Sequence, residues 1–222
     1  TLVGIMYVPF FFMFLELVRK LEFGKILFEK NSKERLFPAS TTKVMTAILT
    51  VENCNLQDKV KISHYAVNSV PATYSVGFIK PGQVFTVEQL LNLTLIYSAN
   101  DAAYALAEYI VNKNNSNHLL DSSNEAKTEF ENSITKFSEM MNQKAKELGT
   151  LDTNFVNPNG IHNEAHYSTA YDLALIGKYA YSNSIITSIC AKASYSLPEN
   201  AVNNFTEYKT TNPLLRSESK YY

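Results

Sequence analysis

Glycine is scarce in this chain, with 7 in 222 residues, about half of ordinary usage. Neither G-x-G-x-x-G nor G-x-x-x-x-G-K-[ST] occurs, which removes the dinucleotide and P-loop phosphate cradles. Two cysteines, Cys54 and Cys190, have no C-x-x-C spacing and cannot build a metal cluster by themselves. One disulfide or two buried thiols both remain open. No basic run is present, and 20 Lys+Arg against 21 Asp+Glu give a net charge of −1. That balance excludes a dedicated nucleic-acid binder with a cationic face. No internal repeat is visible, and no apolar run reaches the roughly 20 residues that a membrane helix needs. The longest, at residues 3–15, has the length of a signal-peptide core. Residues 1–20 are therefore read as a leader remnant or an apolar N-terminal segment.

What is present is an ordinary core-forming composition, 45% apolar and 18% charged, enough for one domain. A β-prone run at 25–31 predicts a strand. Pro38 blocks helix before it, and Ser40 is a candidate N-cap. Val44, Ala47, Ile48 and Val51 then trace the buried stripe of a helix. Ser40 and Lys43 fall on that same inward stripe, one turn apart. A lysine on a buried face is costly unless it is paired or put to use. The bland alternative is a capping serine and a lysine that snorkels to solvent.

Thr86 and Gln89 form a capping box ahead of a nearly all-apolar helix at 90–96. Ser98, Ala99 and Asn100 interrupt it before a new stripe begins at Ala102. A polar break between buried helices places Ser98 and Asn100 at the core, with an N-cap role for Ser98 or Asp101 as the alternative. Residues 112–129 read as a polar loop. Residues 134–148 read as an amphipathic helix stopped by Gly149. Residues 170–181 read as a helix capped by Ser168 or Thr169, and 195–197 as a short strand. His162, Glu164 and His166 invite a metal reading, but Glu164 is one place off the H-E-x-x-H spacing and the preceding N-P-N-G disfavours helix.

S-x-x-K followed about sixty residues later by S-x-N is far more specific than either alone. The flanks PASTTKVMTA (38–47) and SANDAA (98–103) resemble the serine-type D-Ala-D-Ala carboxypeptidases, the low-molecular-mass penicillin-binding proteins. GKILFEKN (24–31), NPNG (157–160), HYSTAYDLA (166–174) and TNPLL (211–215) are similar to further family segments.

The resemblance implies an α/β fold of the β-lactamase/penicillin-binding-protein type: an antiparallel sheet flanked by helices, with a helical subdomain carrying the Ser98 loop. It implies a catalytic domain over 21–222, acyl-serine chemistry on peptidoglycan stem peptides, and covalent capture of β-lactams. Ser40 would be the nucleophile, Lys43 its base, Ser98 a proton relay and Asn100 a substrate-binding residue. No metal and no cofactor are implied, and no nucleic-acid partner. The site of action would be extracytoplasmic, with any membrane association through segments outside this chain.

The family's K-T-G strand is not found. Lys209-Thr210-Thr211 lacks the glycine and precedes N-P-L-L. The expectation is therefore a chain that stops before that strand, lacks C-terminal strands and is inactive as given. No E-x-x-L-N occurs between S-x-N and the end, so peptide trimming is favoured over β-lactamase action. The competing readings are a catalytically incomplete wall-peptide binder, a serine β-lactamase-like hydrolase, and a metal hydrolase using His162, Glu164 and His166.

Overall fold

The computed structural model describes residues 26, 29–115, 117–198 and 207–215. The apolar run at 3–15 lies outside them, as do positions 25, 27 and 28 of the strand expected over 25–31, and the described positions 26 and 29–31 are not strand. A 3-10 turn, Ala39–Thr42, leads directly into α1, Lys43–Asn53. There follow β1 (Lys59–Lys61), α2 (His64–Asn68), β2 (Val84–Thr86), α3 (Val87–Ile96) and α4 (Asn100–Asn112). Next come α5 (Asn124–Glu147), α6 (Ala170–Tyr181), α7 (Ser184–Cys190), β3 (Ser194–Ser196) and β4 (Glu207–Lys209).

The described strands form two separate antiparallel pairs. β1 runs against β2 with Val60 opposite Phe85, and β3 runs against β4 with Tyr195 opposite Tyr208. Around them the helices form the bulk of the core. α3 lies at its centre, with Leu90, Leu91 and Leu93 all fully buried. Burying one such leucine contributes about 2 kcal/mol. α1 contributes Met45, Ala47 and Ile48 and α4 contributes Ala102, Leu106 and Ala107 to the same core, and α1, α3 and α4 all contact one another. The alanines of α4 let the helix axes approach closely, which matters because α1 and α4 carry the polar residues at their N-terminal ends.

Local signals explain most element boundaries. Thr86 and Gln89 close the anticipated capping box on α3. Thr169 caps α6 by accepting the Asp172 amide, and Gly149 takes φ +82° after α5. Two expectations are corrected. α5 begins ten residues before position 134, because Ser123 caps it and Ala126 and Phe130 extend its buried stripe; the Asn/Ser-rich text masked that stripe. Ser40 is not an N-cap: it lies inside the 3-10 turn, and its hydroxyl is engaged elsewhere. Cys54 and Cys190 are both free thiols, each pushed up to about 11 by burial.

Candidate active site

The four residues singled out by the sequence converge on one point. Lys43 on the first turn of α1 is 2% exposed. Its Nζ donates to Ser40 Oγ at 3.1 Å, to Asn100 Oδ1 at 2.9 Å and to the carbonyl of Asn159 at 2.7 Å. The Ser98 hydroxyl donates to Ser40 Oγ at 3.0 Å. Ser40 therefore sits between an amine on one side and a hydroxyl on the other.

Lys43 is buried by its position on the inward stripe, and burial disfavours the charged form. Its pKa falls to about 7, with the nearby Asp101 charge opposing the fall. An amine at that value is a substantial fraction neutral at physiological pH and can accept a proton.

Two backbone features aim the hydroxyls. Ser98 takes φ +62° and Ala39 φ +48°, a left-handed conformation costing roughly 1–2 kcal/mol for a residue with a Cβ. Such strain collects where surrounding structure holds a functional geometry. The N-cap position of α4 is Ala99, with no side-chain cap. Ser98 thus turns its hydroxyl toward Ser40 rather than onto the helix end.

The third wall is the 157–160 turn. Asn157 Oδ1 accepts the amides of Asn159 and Gly160, which turns the Asn159 carbonyl toward Lys43. Gly160, at φ +82°, passes so close to Ala39 that a Cβ would lie 1.8 Å from the Ala39 carbonyl oxygen.

A cleft of about 380 Å³ opens over these groups. Thr73, Tyr74 and Ser75 line one side, and Thr210, Thr211 and Asn212 another. The latter strip is tied down by the Thr211 amide on the Ile96 carbonyl at 3.0 Å. Lys209 is exposed on β4 and does not line the cleft. Ser75, the Asn159 carbonyl and the 210–212 strip were not picked out by reasoning on residue chemistry. Only the similarity of N-P-N-G and T-N-P-L-L to family segments marked two of them.

The histidines go separate ways. His162 stacks edge-on against Phe37 at 4.5 Å, and Glu164 is exposed. His166 is 2% exposed. Its Nδ1 accepts the Val156 amide at 3.0 Å, so its Nε2 carries the hydrogen and donates to Thr42 Oγ1 at 2.8 Å. Both nitrogens are committed to protein partners, and His166 braces the turn beside Ser40.

Burial lowers the His166 pKa from 6.5 to about 4. A depressed value means that the unfolded chain takes up the proton first. Stability is then full above about pH 6.5 and is lost as pH falls toward 4, by about 3 kcal/mol for this group. Urea unfolding across that window should show this slope, and His166→Gln should flatten it.

Comparison with known proteins places this geometry in context. The model for the peptidase S11 family, D-alanyl-D-alanine carboxypeptidase, matches residues 17–116 and 115–222. The D-alanyl-D-alanine carboxypeptidase DacF of Bacillus subtilis is 36% identical over 187 residues, covering 82% of this chain and 42% of the relative. The chain thus spans less than half of that protein's length. The crystal structure of a Streptomyces DD-transpeptidase superposes with a TM-score of 0.72 at 33% identity, covering 88% of this chain and 72% of the other. A D-alanyl-D-alanine carboxypeptidase from Francisella tularensis gives a TM-score of 0.64 at 30% identity, covering 79% and 39%.

Proposed function

The chain belongs to the peptidase S11 family of D-alanyl-D-alanine carboxypeptidases, and from that premise we propose that it removes the terminal D-alanine of peptidoglycan stem peptides through an acyl-serine. β-Lactams are the corresponding covalent inhibitors, and the setting is extracytoplasmic in a bacterium. The observation that carries this reading is the buried Lys43 amine 3.1 Å from a serine hydroxyl that a second serine also contacts.

Neutral Lys43 takes the Ser40 proton as Oγ attacks the carbonyl carbon of the penultimate D-alanine. Negative charge moves to the carbonyl oxygen. The C–N bond then breaks as a proton passes from Lys43, through Ser98, to the departing amine. D-Alanine leaves with its own nitrogen protonated, and Ser40 holds the acyl group. Water, giving its proton to Lys43, attacks the ester carbonyl; the bond to Ser40 Oγ breaks, Lys43 returns the proton to that oxygen, and the shortened peptide leaves as its free acid. Asn100 keeps Lys43 aimed through its Oδ1. Its Nδ2 and backbone N–H are both held by the Ser75 carbonyl, at 2.8 and 3.0 Å, so its rotamer is fixed. In a β-lactam the departing nitrogen stays tethered to the acyl group, and the ester persists.

The cleft-lining residues in the described structure carry no charge other than the neighbouring Lys43 amine. The substrate carboxylate is therefore assigned to groups beyond these residues, in keeping with the absent K-T-G. The test is mass spectrometry of the full-length protein after exposure to penicillin. The expected result is one adduct, mapping to the peptide that contains Ser40. An adduct elsewhere, or none, removes the proposal.

A further inference from the structure

One buried acid beside the cleft has no part in these steps. Asp101, in the first turn of α4, has no solvent exposure. Its Oδ1 accepts the Gly77 amide at 2.7 Å and the Ala102 amide at 2.9 Å. The residue before it, Asn100, holds the Ser75 carbonyl from two nitrogens. Consecutive residues of α4 thus grip consecutive parts of the loop wall that bears Thr73, Tyr74 and Ser75. A third tie comes from Tyr208 on β4, whose hydroxyl donates to the Gly77 carbonyl at 2.7 Å.

Given the acyl-serine reading above, on which this inference rests, we propose that Asp101 is a positioning residue. Its carboxylate locks the 75–77 wall onto α4, and that lock holds Asn100 against Lys43. Without it the Ser75 carbonyl loses its register. Asn100 is then free to leave the rotamer that presents Oδ1 to the amine.

The lock is strongest with the carboxylate as an anion, because Oδ1 then accepts the Gly77 and Ala102 amides as charge-assisted bonds; Oδ2 has no hydrogen-bond partner. Burial raises the Asp101 pKa above the usual carboxylate value, and the amides of Gly77 and Ala102 oppose that rise by favouring the charged form. The titratable groups facing it are Lys43 on α1, Tyr208 on β4, and Tyr74 and Lys80 of the loop, which border the same outer groove. The carboxylate raises the proton affinity of Lys43 and of Tyr208, and of these two Lys43 is the group in contact with Ser40.

The experiment is the rate of acylation by a fluorescent penicillin in the full-length protein, followed over roughly pH 5.5 to 9 to bracket the base. Asp101→Asn keeps an oxygen for the two amides but removes the charge. Its plateau rate should stay within a few-fold of the wild type, while the acid limb moves at least about half a pH unit lower, because protonated Lys43 loses an attraction. Asp101→Ala removes the grip, and its plateau should fall about 10²-fold, the scale of an ångström-level misplacement.

A merely structural acid would lower the melting temperature of both variants and leave the limb where it was. An unmoved limb with an unchanged Asp101→Ala plateau overturns the inference. Should either variant not fold, the wild-type carboxyl carbon shift of Asp101 decides: a protonated signal at neutral pH overturns it, an ionised one supports it. A wild-type protein that takes no label at all would instead sink the acyl-serine reading.

Discussion

Replacing Lys43 with methionine should slow acylation of the full-length protein by penicillin about 10³-fold, within the range expected for loss of a general base. The side chain is of similar length and apolar, so it fills the space without restoring a basic atom. Ser40 Oγ would keep its contact with Ser98, but a serine hydroxyl without a neighbouring base is a weak nucleophile. The wild-type rate should rise with pH through about 7, where Lys43 loses its proton, and that limb should be absent from Lys43→Met. Retention of the limb would mean that another group accepts the Ser40 proton. The thermal midpoint of the variant provides the check on folding, since the Asn100 and Asn159 acceptors lose their donor.

Gly160→Ala should damage the site as severely, from a residue that performs no chemistry. The new methyl would lie 1.8 Å from the Ala39 carbonyl oxygen and 2.2 Å from its carbon. Those are backbone atoms, and Ala39 precedes Ser40 directly. The turn must therefore shift, and the nucleophile or the Asn159 carbonyl shifts with it. Acylation should fall by at least about 10²-fold, with a clear loss in thermal midpoint. Gly82 supplies the control: it has nearly the same φ, +83°, and nothing within 4 Å of a built Cβ. Gly82→Ala carries only the backbone strain, about 1–2 kcal/mol, and should label at the wild-type rate. Equal behaviour of the two variants would show that the close approach to Ala39 is unimportant.

Much of the site was legible because burial and polarity conflict in the text. Lys43 on an apolar stripe and Ser98 between two buried helices are each expensive placements, and expense of that kind marks use. Ser40 illustrates how far the signal reaches. Its chemistry was visible, but the same residue type at the same spacing also fits a helix cap, and that local expectation was wrong. A 3-10 turn ahead of α1 and a hydrogen bond from Ser98 commit the hydroxyl differently. In α5 the start was missed for the opposite reason: polar residues on the exposed face outnumbered Ala126 and Phe130 on the hidden one.

The sequence by itself determined the helical stripes, the α3 capping box, and the pairing of S-x-x-K with S-x-N, because these rest on neighbours within a few residues or on a rare combination of motifs. Only the tertiary structure decided that the Asn159 carbonyl meets Lys43, that Ser75 fixes Asn100, that Asp101 grips the cleft wall, and that Gly160 must be glycine. Each of those contacts joins segments some 25 to 120 positions apart. No periodicity encodes such distances; the packing of α1 and α4 against α3 brings the partners together.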